Sequence, residues 1–432
     1  MSFAGLFRSS LAPIAIVLTT GAAALAVSQL PTLADNDAIA YATAKSNDPV
    51  ARLQQRIDRG ETTLAFDPKH GYLPAVLEAL HVPVSSQGLV FSRTSLQIDH
   101  IAPWSPRALY FNDDTYVGWV QNGPILEAVG VDPTLGAVFY SLDQRATDHP
   151  VFERQQRTCL ICHDSATTGG VPGFIVRSVF TDRYGYAFAS VGKDLTTDRT
   201  PIDERWGGWY VTGTAGDSPH MGNVIANRLA QEMDDKTAFA ASMKRTAGPG
   251  ITDLHGKFDV SRYLAPGSDI VALLVLAHQS VIHNLITTAG YVARIDAADG
   301  EPDSARVKNA AEKLARAMLF ANEAPLPGPV KGTSAFAVEF AARGPKDRQG
   351  RSLRDLDLER RLLRYPLSYL IYSDGFDGLP PNVKRMVYAR IGAVLSGTDA
   401  SPEFGHLSGS DRQAIREILR DTKPDFPAGP TP

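Results

Sequence analysis

The sequence predicts an α+β fold, mainly helical, with short β-hairpins in the N-terminal half and a helical C-terminal half. Three observations predict it. Segments rich in aromatic and β-branched residues, as strands are, occur at 108–120, 135–142 and 174–192. From about residue 223 onward the apolar residues recur at helical spacing. The chain has 432 residues, 44% hydrophobic and 21% charged, which is enough for one large core or two to three smaller ones.

The elements follow in order. Residues 1–34 carry a single charge, Arg8, then an apolar run from Leu11 to Val27 and small residues near Thr32 and Ala34. A basic start, an apolar middle and a small-residue end form a secretory signal, with cleavage expected after Ala34 and export to the periplasm. Losing Arg8 takes the net charge from −4 to −5. An uncleaved segment would instead be a membrane anchor, the one route to a membrane here, since about 17 apolar residues lie near the lower limit for a span. The polar and charged residues within 269–292 argue against a span there. No strongly basic stretch is set aside for phosphates, so nucleic-acid binding is not expected.

Residues 35–150 read as an α+β region. A helix follows the polar start Asn47-Asp-Pro49 and runs to Ile57; Asn112-Asp-Asp114 turns 108–120 into a hairpin; 135–142 is a further strand. Residues 151–230 hold a short helix near 152–163, the loop Gly169-Gly-Val-Pro-Gly173, a second hairpin at 174–192 turning at Asp182-Arg-Tyr-Gly185, and a short strand at 205–214. Residues 231–432 read as helical, with helices near 269–292 (capped by Ser268 or Asp269), 303–322, 353–372, 381–396 and 410–421. A Pro/Gly-rich break lies at 323–332, and the tail from Lys423 is expected to be extended and poorly ordered.

The chain has two cysteines, both inside Cys159-Leu-Ile-Cys-His163. The pattern C-x-x-C-H reads as a site of covalent haem c attachment. Two thiols two residues apart suit addition to two haem vinyl groups, and the adjacent His163 can give the iron its proximal ligand. Attachment of this kind occurs outside the cytoplasm, in agreement with the leader. Three other readings compete. A zinc site would have to recruit distant histidines to reach four ligands. A thioredoxin-like pair would follow a buried strand, and the preceding 152–158 is polar. The third is a plain disulfide.

On these residues the chain resembles the c-type cytochromes, with a cytochrome c-like haem site. The ordinary small cytochrome domain spans only roughly a hundred residues, so the resemblance leaves most of the chain uncovered. More widely, the stretches Arg107-Ala-Leu-Tyr-Phe-Asn-Asp113, Arg205-Trp-Gly-Gly-Trp-Tyr-Val-Thr-Gly213 and His220-Met-Gly-Asn223 resemble large, exported, single-haem cytochrome-domain proteins of bacteria. The resemblance implies one covalent haem and electron transfer with redox protein partners, and it names no substrate.

Function then turns on what faces the iron opposite His163, because a strong sixth ligand makes an electron carrier and an open position admits a small molecule. His220 and Met221, in a Pro/Gly-bounded loop, are the leading distal candidates. His278 and His283 lie about 140° apart around the 269–292 helix, so they cannot share a face; either could approach the haem. Each also has a bland reading, as a hydrogen-bonded core or loop residue, and Met221 as core filler. Arg177, Arg205, Trp206 and Trp209 are candidate partners of the haem propionates. Gly207 and Gly208, between two tryptophans, suggest a backbone pressed against something flat, haem or another ring. Asp164 and Asp182 lie near the motif without an assignable role. Three functions stay open at this point: periplasmic electron transfer, a haem oxidoreductase of peroxidase or oxygenase type, and a haem-based sensor or respiratory-complex subunit.

Overall fold

The first hairpin forms where its turn chemistry predicts. Asn112 accepts from the backbone of Asp114 and Thr115 at 3.1 and 2.9 Å, which closes the turn between β2 (Arg107–Phe111) and β3 (Thr115–Trp119). These strands belong to a larger sheet than expected. The computed structural model describes residues 32–156, 158–188, 195–227 and 250–427. In it seven antiparallel strands form one sheet: those two with β1 (Gly88–Val90), β4 (Ile125–Asp132), β5 (Gly136–Asp143), β6 (Phe152–Arg154) and β7 (Trp209–Tyr210). Their order across the sheet is β6-β5-β4-β3-β2-β1-β7.

This sheet overturns the mainly helical expectation. The architecture is α+β around a seven-stranded antiparallel sheet, and no cytochrome c-like fold surrounds the motif. The helix expected near 152–163 is a strand through Arg154 and then one helical turn, α3 (Leu160–His163). The hairpin expected at 174–192 forms only beside its turn at 182–185, where the Asp182 N–H donates to the Tyr186 carbonyl (3.0 Å) and the Phe188 N–H to the Phe180 carbonyl (2.9 Å); farther out, Phe174 pairs with the Asn284 side chain and Val179 with the Gly207 carbonyl. Residues 189–194 fall outside the described residues. The helix expected at 353–372 is a looped segment ending in a 3-10 turn (Tyr369–Tyr372), because Pro366 supplies no N–H for a helical ladder.

The other helices form near their expected places. Ahead of the sheet lie α1 (Pro49–Asp58) and α2 (Leu73–Ala79). The central helix α4 (Ile270–Ala298) is capped by Asp269, whose carboxylate accepts from Val271 and Ala272. It is long and apolar enough to cross a membrane, yet it is mostly buried in the protein. α5 (Ala305–Met318), α6 (Phe336–Ala342), α7 (Asp374–Asp377), α8 (Pro381–Ser396) and α9 (Gly409–Thr422) pack around it. The tail is anchored as far as Phe426: Lys423 pairs with Asp377, and the Phe426 ring meets Tyr388 at 5.1 Å.

Residues from Thr32 onward form one unit. Thr32 and Leu33, on the leader side of the expected cut, belong to it. The Thr32 hydroxyl donates to Asp164 (2.7 Å) and the Leu33 N–H to Gly170 (3.1 Å).

Side chains alternate across the sheet with period two. Leu89, Ala108, Tyr110, Val117, Leu126, Val138 and Leu142 enter a core shared with α1 and α2. The opposite face carries Val90, Arg107, Leu109, Tyr116, Gly118, Glu127, Val129, Phe139 and Ser141. That face is the floor of a cavity, and α4 contributes to the opposing wall through Leu276 and Ser280.

Candidate functional site

The cavity has a volume of about 540 Å³ and contains the whole chemistry of the pentapeptide: Cys159, Cys162 and His163 all line it. The helical turn α3 brings them there, with the His163 N–H donating to the Cys159 carbonyl at 3.0 Å. Both thiols are free. Cys159 is half-buried, and burial pushes its thiol up to about 11. Cys162 is exposed at the rim.

His163 is oriented by two reciprocal bonds to Gly173. The Gly173 N–H donates to the His163 carbonyl (2.8 Å), and His163 Nδ1 lies 2.9 Å from the Gly173 carbonyl oxygen. A carbonyl can only accept, so Nδ1 carries the proton and Nε2 keeps its lone pair. Hydrogen bonding at one ring nitrogen while the other is left free is how metal-ligating histidines are commonly held. Burial lowers the His163 pKa, which favours the neutral form a metal needs. The Phe139 ring packs on the imidazole at 4.9 Å. Gly173 is fixed in turn, because the next residue, Phe174, has both backbone groups clamped by the Asn284 amide at 2.8 Å each.

Charge in the cavity is unbalanced. Arg93, Arg107, Arg177 and one acid, Glu127, line it among the described residues. Arg107 reaches across β3 to pair with Glu127, which also accepts from Ser95 and Gln97 at 3.2 Å. It passes over Gly118, where a Cβ would lie 2.4 to 2.9 Å from the guanidinium. The Arg107 Nε–H remains buried and without a partner. Among the described residues Arg177 has no ion pair, and Arg93 donates to the Tyr184 carbonyl and the Tyr186 hydroxyl. A wall with two more cations than anions suits a ligand with two carboxylates, as haem has. The volume also lies within the roughly 300–1,000 Å³ of small-molecule and cofactor sites. The two thiols, the oriented imidazole and the spare cationic donors therefore fit a covalent haem.

The remaining sequence candidates separate. Arg177 and Trp209 line the cavity, and the Trp209 indole donates to the Arg177 carbonyl at 2.7 Å. Arg205 and Trp206 do not. Arg205 is buried and donates to the carbonyls of Thr200 and Asp198 at 2.6 and 3.0 Å, and burial lowers its pKa to about 10. Trp206 sits edge-on to His220 at 5.3 Å with its indole N–H unpartnered. The backbone at Gly207 does press on something, namely the Val179 carbonyl and the Met221 methyl, neither of them part of a ring.

None of the four distal candidates lines the cavity. His220 is buried with both ring nitrogens unpartnered, and burial lowers its pKa to about 4. Met221 takes a long contact from the Ser178 hydroxyl (3.7 Å). His278 is held between Asp198 (3.4 Å) and Ser368 (2.9 Å) and stacks on Phe320 at 4.2 Å. His283 Nε2 lies 2.7 Å from the Asp113 carbonyl and its ring backs Phe174. Asp164 takes the Thr32 hydroxyl, and Asp182 closes a turn by accepting from Tyr184 and Tyr186. Among the described residues no group of three or more His, Cys, Asp or Glu is placed to share a metal ion.

Sequence reasoning did not single out Arg107, Tyr116, Glu127, Phe139 or Phe174. Their signal is strand register, which brings Phe111, Tyr116, Val129 and Phe139 into one row across four strands. No protein-family model, curated protein or solved structure matches the chain.

Proposed function

We propose that the chain carries one covalent haem c in this cavity, attached through Cys159 and Cys162 with His163 as axial ligand. Its function in this reading is that of an exported haem oxidoreductase acting on a small molecule. One observation carries the choice. Among the described residues lining the cavity, His163 is the only histidine and there is no methionine. Of the described lining residues, His163 would be the one to bind the iron strongly, and a haem iron so held could also take a small molecule. The group when bound supplies redox chemistry. Cys159, Cys162 and His163 would hold it, Phe139, Phe174 and Trp209 would shield it, and the arginines would face its carboxylates.

Electron transfer with a protein partner is the second reading, and the rim favours it. Ile161 inside the motif is 62% exposed, Leu96 and Ile98 at the cavity edge are 44% and 42% exposed, and Trp104 and Tyr186 stand exposed as well. The visible spectrum of the protein, matured in a host able to attach haem c, separates the readings. A high-spin signal that shifts when CO is added to the reduced protein supports the oxidoreductase. A sharp low-spin spectrum indifferent to CO would favour the carrier. Absence of covalent haem would sink both.

A further inference from the structure

Tyr116 stands on the cavity floor, and its hydroxyl reaches α4, whose residues Leu276 and Ser280 form part of the opposite wall. The bond it makes there has a direction that can be worked out. The Gln279 side-chain amide touches three groups: the Asn112 carbonyl (2.9 Å), the Tyr116 hydroxyl (2.6 Å) and the Tyr369 hydroxyl (2.7 Å). The Asn112 carbonyl can only accept, so the amide nitrogen faces it and Tyr116, while the amide oxygen faces Tyr369. Tyr369 donates to that oxygen. The second amide N–H then donates to Tyr116, whose oxygen acts as acceptor. Among the described residues the Tyr116 O–H proton is left with no acceptor, although the residue is only 6% exposed. A buried, unspent donor of this kind costs free energy unless something accepts from it.

We infer that Tyr116 is the hydrogen-bond donor to a small anion bound at the haem iron, held in that role by the Gln279–Tyr369 pair behind it. The inference rests on the haem reading above and goes further, since it names the residue that favours an accepting ligand over a merely coordinating one. Phe111 and Phe174 pack on the Tyr116 ring at 6.2 and 4.2 Å and fix its plane. Both tyrosines are buried, which raises their pKa values, so both are neutral donors across the ordinary pH range.

Two probes test it on the ferric holoprotein: fluoride, a small anion that accepts hydrogen bonds, and imidazole, which coordinates without needing a donor. Tyr116→Phe keeps the ring and removes the proton. The expected result is fluoride affinity lowered at least about tenfold, as loss of a hydrogen bond to a charged group predicts, with imidazole affinity unchanged. The C–O stretch of the ferrous CO complex should also move to higher frequency. Unchanged fluoride affinity with haem bound would overturn the inference alone. Equal loss for both probes would assign the effect to a damaged cavity and overturn it too. If the wild-type chain carries no haem, or its haem takes neither probe, the haem reading fails in whole or in its open-iron part, and this inference falls with it.

Discussion

On the rear of the sheet, Leu126, Val138 and Leu142 are at most 1% exposed and pack into the core that includes Val50, Leu53 and Leu73. On the front, their neighbours in sequence are Glu127, Phe139 and Ser141, which face a cavity. The same strands supply both faces, one residue out of phase. The rear carries polar groups as well, and its buried Tyr140 and Tyr110 hydroxyls are satisfied inside the protein, by Asp48 and Gln87 at 2.6 Å each. The front carries an ion pair, an arginine with an unpartnered Nε–H and a tyrosine with an unspent proton. The donors left without a partner on the front lie where a ligand can satisfy them, and that is the physical argument for a built site.

The largest effect that could break this comparison is removal of the thiols. Cys159→Ala with Cys162→Ala should abolish covalent haem while leaving the rear core intact. Haem staining after denaturing electrophoresis reads the first, and the far-ultraviolet circular dichroism reads the second. Pigment that survives denaturation in the double variant would refute covalent attachment through this motif.

Packing gives the next contrast. Leu126→Ala, on the rear, should cost about 2–5 kcal/mol, because a closed core collapses only partly around the void. Leu109→Ala, on the front, borders space already open and should cost about 1 kcal/mol or less. Denaturant midpoints of the two variants, both without haem, measure the difference. Similar losses would mean that the front face is as tightly filled as the rear.

A third test lies away from the sheet. Glu323 is half-buried near Asp198, and its desolvation raises its pKa from the usual 4.5 to about 7. The folded state therefore holds this proton more tightly than the unfolded state does. Stability is full below about pH 4.5, falls as pH rises to about 7, and is flat beyond, with a loss on the order of 3 kcal/mol from this group. Glu323→Gln should flatten that limb, so the variant should melt higher than the wild type above pH 7 and alike at pH 4. A parallel shift at both pH values would reject the assignment.

Much of the site was legible in the sequence because its chemistry is contiguous. Two thiols and an imidazole within five residues need no tertiary information. The hairpin at Asn112 and the α4 cap at Asp269 were legible for the same reason, each being a local side-chain-to-backbone bond. The sheet as a whole was not. Ile125-Leu-Glu-Ala-Val-Gly-Val131 carries apolar residues on both its core face and its cavity face, so polar alternation fades and Glu and Ala lend it a helical look. Residues 353–372 carry helical-looking spacing, but Arg364 bonds back to Asp355 and Pro366 interrupts any ladder. His220 and Met221 attracted notice because loops often supply distal ligands, yet neither lines the cavity, and Met221 packs beside Ser178 and Gly207 instead. Which face a residue occupies depends on register, and register is set by partners far away in the chain.

The smallest expected effect is at Gly118, where the front face accommodates a guanidinium instead of a side chain of its own. A methyl there would meet Arg107 Nη2 at 2.4 Å. The obstacle is the far end of a flexible side chain, so the backbone need not move and Arg107 can swing aside. Gly118→Ala should therefore cost only about 1 kcal/mol in thermal stability while breaking the Arg107–Glu127 pair. Freed from Glu127, Arg107 would turn its charge toward the cavity and raise the affinity of the ferric haem for fluoride. Arg107→Gln, which removes that charge, should lower it. If both variants bound fluoride as the wild type does, the ion pair would be a support of the sheet and no part of the site. Opposite shifts would show that Gly118 sets how much of the Arg107 charge the ligand feels.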